Sequence, residues 1–195
     1  MFSVPDSALA MAADALLVSS SPLPLVNHCR RTYVFGAGLL ERAGRSFDAE
    51  VLYVASLLHD LGLTETFEDG VTPFETRGAA VATEALRENG ASPELTALVN
   101  DAIALHLKAS SAEDPRPEVA GVSMGAAADV LGLRLEDLPE SLVAQALEGF
   151  PRLDFKTFLN EVIARQVQLK PDSRIAGYVE RFQFAQLVTA APFGE

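Results

Sequence analysis

Apolar residues recur at three- and four-residue spacing along almost the whole chain, while runs that alternate apolar with polar residues are scarce. That periodicity predicts an all-α protein. The first helix, about 5–18, opens with Pro5 and stops at the turn-forming stretch Ser19-Ser20-Ser21-Pro22-Leu23-Pro24. Asn27 reads as the cap of a second helix, about 28–43, that finishes near Gly44. Asp48 caps a third, about 49–61, ending at Gly62, and the acidic segment 64–71 with Gly70 forms a surface loop beside that end. Helices at about 73–89 and 93–109 share a punctuation of capping hydroxyl then proline, in Thr72-Pro73 and Ser92-Pro93. Past Asp114-Pro115-Arg116-Pro117 the pattern gives helices at about 118–132, 139–148, 155–169 and 173–190. No repeat and no long linker interrupts them, so residues 1–195 read as one domain.

Composition narrows the classes. With 49% hydrophobic residues, a chain of this length fills one core. The formal charge of −12, from 27 acidic and 15 basic residues, argues against a nucleic-acid partner, which needs a basic surface to replace phosphate counterions. No stretch of about 18 apolar residues runs free of charge, and the first basic residue is Arg30, so neither a membrane span nor a basic leader is expected. The single cysteine, Cys29, excludes an internal disulfide and fits a reducing compartment. Together these point to a cytoplasmic protein.

Only three histidines are available for chemistry, His28, His59 and His106, each on a different predicted helix. Taken singly, each is most simply a neutral core residue. His59 and Asp60, however, lie about 100° apart on a helix and are flanked by Leu57, Leu58, Leu61 and Leu63. A carboxylate buried among leucines needs a partner, and a cation shared with the neighbouring imidazole is one. Asp129 follows Gly125, Ala126, Ala127 and Ala128, on a helix thin enough to approach its neighbours closely or simply to face solvent.

The ordered segments NHCRRTY (27–33), LLHDLGL (57–63), AIALHLK (102–108) and AAADVLG (126–132) resemble the HD-domain metalloenzyme superfamily, whose signature is a His, a His-Asp pair and a distant Asp. By position the resemblance implies His28, His59, Asp60 and Asp129 as ligands of one metal in a helical bundle, with a motif core at about 22–133 and further helices at about 139–190. NHCRRTY, FETRGA (74–79) and the later Ala-Ile-x-x-His are most similar to the cyanamide hydratase-like branch, although Cys29 and Leu107 depart from its usual Ser and Thr. The implied cofactor is one divalent ion, zinc before iron or manganese, because imidazole and carboxylate ligands suit all of them. Water at its open position would be acidified toward about pH 7, enough for hydration or hydrolysis of a small molecule, with cyanamide or a nitrile as substrate.

In that scheme His106 is the general acid or base or a substrate contact, and Asp60 a catalytic residue as well as a ligand. Glu75 fits either the active site or a capping box with Thr72. Arg31, one turn from His28, reaches the pocket or pairs at the surface, and Tyr33 and Phe67 line the pocket or belong to the core. Lys108, two residues past His106 on the expected helix, points away into solvent. The few cations near the motifs favour a small uncharged substrate over the alternative of a mononuclear nucleotide phosphohydrolase, and a non-catalytic metal-binding regulatory module is the reading from a different class. An apolar C-terminal helix with Phe182, Phe184 and Leu187 packs on the domain or forms a homo-oligomer contact.

Overall fold

The computed structural model describes residues 4–194, and among them it contains helices and turns but no strand. The long central helix α2 (Leu23–Arg42) is buried along most of its length. Its neighbour α6 (Pro117–Leu131) approaches it so closely that a Cβ on Gly125 would lie 2.1 Å from the carbonyl oxygen of Thr32. Helix α6 is thin for that reason, and the approach carries Asp129 to within hydrogen-bonding distance of His28.

Around this pair stand α1 (Ala8–Ser20), α3 (Ala49–Leu58), α4 (Phe74–Glu88) and α5 (Pro93–Leu105). Asp48 caps α3 by accepting from the amides of Glu50 and Val51, and Ser92 caps α5 through the amide of Leu95, both as the sequence pattern predicts. Helix α7 (Glu140–Gly149) leads through the non-glycine left-handed residues Leu153 and Asp154 into α8 (Phe155–Leu169), a reversal that brings Arg152 and Phe155 to the side of His28. Helices α9 (Arg174–Phe182) and α10 (Phe184–Ala190) complete the chain. Phe155, Leu159, Ile163, Ile175 and Val188 from these last helices form an apolar cluster with Leu63 and Phe74, separate from the larger core around α2.

Five expected boundaries are corrected. Helix α1 starts at Ala8 behind a Ser7 cap rather than at Pro5. Helix α2 begins at Leu23, five residues before the expected start, because a proline in the first turn lacks only an N–H that the helix does not use. Asn27 therefore lies inside the helix, where its side-chain amide donates to the carbonyl of Pro151. The third and fifth helices stop at Leu58 and Leu105, so that both His59 and His106 occupy C-terminal caps. The expected helix 173–190 breaks at Gln183, which adopts a left-handed φ of 54°.

Candidate metal centre

The cap position is what frees His59 and His106 from helical packing. Each ring turns back on its own helix end, where Nδ1 of His59 donates to the carbonyl of Ser56 at 2.8 Å and Nδ1 of His106 to that of Ile103 at 2.7 Å. A carbonyl only accepts, so both protons sit on Nδ1 and the Nε2 of the neutral ring offers a lone pair. His28, on α2, is held in the same sense by Asp129, whose Oδ2 lies 2.7 Å from its Nδ1. Phe155 stacks on the His28 ring with centroids 4.7 Å apart.

Three lone pairs then converge. His28 Nε2 and His59 Nε2 are 3.2 Å apart, and Asp60 Oδ2 lies 3.4 Å from the first and 3.3 Å from the second. All three residues are buried, and together they form a group able to hold a metal ion. Acceptors facing one another at such distances need a positive charge between them. The sides of the triangle suit three ligands of one divalent ion, and a donor set of two imidazoles and a carboxylate leaves room for water or substrate on it.

Of the four ligands that the resemblance implies, the structure brings His28, His59 and Asp60 together and places Asp129 behind His28. Both oxygens of Asp129 are engaged. Oδ1 accepts from Arg31 Nε at 2.6 Å and Arg152 Nη1 at 3.1 Å, and Oδ2 from Arg31 Nη2 at 2.8 Å and His28. Arg31 is fully buried and spends its remaining donor on the carbonyls of Phe150 and Pro151, so it grips Asp129 rather than reaching the pocket. Burial pushes the Asp129 carboxyl up, but His28 and Arg31 outweigh it and hold the group well below the usual range. For Asp60 the same penalty of burial is overcome first by His59 and then by His28.

His106 stands beside the triangle, with its Nε2 3.7 Å from Asp60 Oδ1 and its ring edge-on to His59 at 4.9 Å. Burial, reinforced by His59, lowers its pKa to about 4, so it is neutral near pH 7. Cys29 is buried next to His28 in sequence, and burial pushes its thiol well up, which keeps it protonated and a poor ligand.

Of the other expected pocket residues, Tyr33 and Phe67 lie away from the cavity, whereas Glu75 is buried near enough to Asp60 to feel its charge. Tyr33 packs edge-on against Tyr53 in the main core, where burial raises its hydroxyl pKa to about 12. Phe67 is half-buried against that core and lends its carbonyl to Arg77. Glu75 makes no cap with Thr72, since the N-cap residue is Pro73 without a side-chain bond. Its carboxyl is buried with Arg174 3.8 Å away, and burial raises its pKa. Lys108, expected in solvent, instead borders the cavity that opens from the metal triangle, because the helix on which that expectation rested ends at Leu105. Arg152 and Phe155 carry no mark in the sequence of a place beside the site. The run FPRLDF (150–155) gives no local sign that it faces His28.

Residues 25–147, more than half of the chain, match the HD domain, and the chain belongs to that family, whose members are generally metal-dependent phosphohydrolases or other hydrolases. No individually curated protein matches the chain.

Proposed function

We propose that the protein is a metal-dependent hydrolase or hydro-lyase acting on a small uncharged molecule, with nitrile hydration the reaction its site suits best. The observation that supports it is the near-equilateral triangle of His28, His59 and Asp60, with neutral His106 beside it. A divalent ion held there, zinc before iron or manganese, would supply Lewis acidity and bring the pKa of a water toward about 7. Asp129, Arg31 and Arg152 fix the tautomer and tilt of the His28 ring, as outer partners of ligating histidines commonly do.

His106 does the proton work. Its Nδ1–H is committed to Ile103, so Nε2 is the atom that accepts a proton from the attacking water and hands it to the substrate nitrogen. In hydration of a nitrile a carbon–oxygen bond forms, one carbon–nitrogen π bond breaks, and the nitrogen takes up the displaced electron pair and the proton. The amide then follows by tautomerisation.

Elemental analysis of purified protein, beside an Asp60→Ala variant shown to be folded by circular dichroism, tests the site. The expected result is about one zinc per chain, absent from the variant. No metal in the wild type after reconstitution with zinc, iron and manganese would overturn the proposal. A screen of nitriles, cyanamide and nucleotides then decides the substrate, and phosphate release without nitrile turnover would make the protein a nucleotide phosphohydrolase.

A further inference from the structure

The metal triangle and His106 occupy one wall of a cavity of about 460 Å3, and its other walls are of a different chemical character. Helix α6 contributes Ala126, Ala127, Val130 and Leu131, α8 contributes Leu159 and Ile163, and the last two helices add Ile175, Phe182, Phe184 and Leu187. Two hydroxyl groups border this space, and the protein itself uses both. Ser123 Oγ donates to the carbonyl of His106 and Tyr178 donates to that of Leu107. The cationic side chains on the lining are Lys108 and Arg134, and the latter is drawn off by Asp137 and the sulfur of Met124.

Size and polarity lead to the same conclusion. A cavity of this volume falls within the roughly 300–1,000 Å3 that houses a whole organic ligand, and it equals about fifteen times the roughly 30 Å3 that one water occupies in the liquid. Cyanamide, with three heavy atoms, would leave nearly all of it unfilled. A sugar, nucleotide or peptide of the right size would bring many hydroxyls and amides against walls that offer little beyond Lys108 and two hydroxyl oxygens, and each stranded group opposes binding. Phosphates would in addition meet too few free cations.

We infer that the substrate is an amphiphile: a hydrocarbon body of about ten or more carbons, held in the apolar chamber, that presents a single compact polar head to the wall formed by His28, His59, Asp60 and His106. This rests on the proposed metal chemistry and names the class of molecule that the same site accepts. Cyanamide and other very small nitriles are poor substrates on this view, because they forgo the burial of apolar surface that the chamber offers.

Straight-chain alkyl hydroxamic acids test it, since the head chelates a metal ion and only the tail varies. Titration calorimetry on zinc-loaded and chelator-stripped protein, from acetohydroxamic to decanohydroxamic acid, reads head and tail separately. Affinity is expected to rise about threefold to fourfold per methylene in the zinc-loaded protein, and to fall sharply in the stripped protein. In Ala127→Phe, which fills part of the chamber, the gain per methylene is expected to end at a shorter chain while the zinc content remains about one per chain. Zinc-dependent binding that is indifferent to tail length would overturn the amphiphile and leave the metal chemistry standing. Affinity that rises with tail length but is the same with and without zinc would instead show an apolar site unconnected to a metal, which overturns both.

Discussion

His28 is gripped from both ends of its ring. One nitrogen faces the metal triangle, and the other faces a carboxylate whose four accepted hydrogen bonds come from three side chains. Asp129→Asn keeps an acceptor for Nδ1 but removes the charge that two arginines surround. Its zinc affinity is expected to fall about 10- to 100-fold, the usual cost of altering an outer partner, while Asp60→Asn abolishes tight binding. A chelator-competition titration of both variants checks the order. His106→Gln should retain stoichiometric zinc yet lose about 10²- to 10⁴-fold in turnover, as the removal of a proton carrier does; a loss of metal instead would make His106 a ligand. His59 and Asp60 stood out as the one His-Asp pair set among leucines, whereas His28 was picked out by the resemblance to the HD-domain superfamily. Arg152 and Phe155 were not, because Phe155 reaches His28, and Arg152 its partner Asp129, only through the folded reversal before α8.

Among the elements, the contact between α2 and α6 decides whether the site can assemble. A methyl group at Gly125 would overlap the backbone of Thr32, which has no side-chain freedom with which to yield. Gly125→Ala is therefore expected to cost about 1–3 kcal/mol, with a fall in Tm of roughly 2–4 °C for each kcal/mol, measurable by calorimetry. The run Gly125-Ala126-Ala127-Ala128 announced that closeness in the sequence, as Asp48 and Ser92 announced their helix starts. What misled the reading was chemistry that two conformations share. Pro22-Leu23-Pro24 suits a turn and the first turn of a helix equally well, and Gln183 carries no local mark of the left-handed backbone that parts α9 from α10.

At the scale of the molecule, a buried charged junction fastens the loop after His59 and Asp60 to the C-terminal helices. Lys170 lies 2.6 Å from Glu68 and 2.9 Å from Gln166, and Gln166 also donates to Glu68. Burial alone would raise the Glu68 carboxyl, but Lys170, Gln166 and the amide of Gly70 outweigh it and hold the pKa below its ordinary value of 4.5. A carboxyl depressed on folding stabilises the fold above its unfolded pKa and loses that contribution as pH falls through the lower native value. Glu68→Gln should thus cost about 1–3 kcal/mol at pH 7, and the difference in melting temperature between the two proteins should close as the pH is lowered below 4.5. A difference that stays constant with pH would show that the junction acts through shape rather than charge. None of this was visible in the sequence, where Glu68 and Lys170 stand about a hundred positions apart.

The walls of the cavity have a consequence for how such a molecule changes over time. The proposed reacting groups, His28, His59, Asp60 and His106, all lie inside the stretch that matches the HD domain, whereas Leu159, Ile163, Ile175, Tyr178, Phe182, Phe184 and Leu187 lie beyond it. The reactive wall is thus confined to the matched stretch, while the apolar walls draw both on that stretch and on the helices beyond it. Substitutions in the last forty or so residues can reshape what is admitted while the reactive wall keeps its form, so a new preference can be acquired here without relearning the reaction.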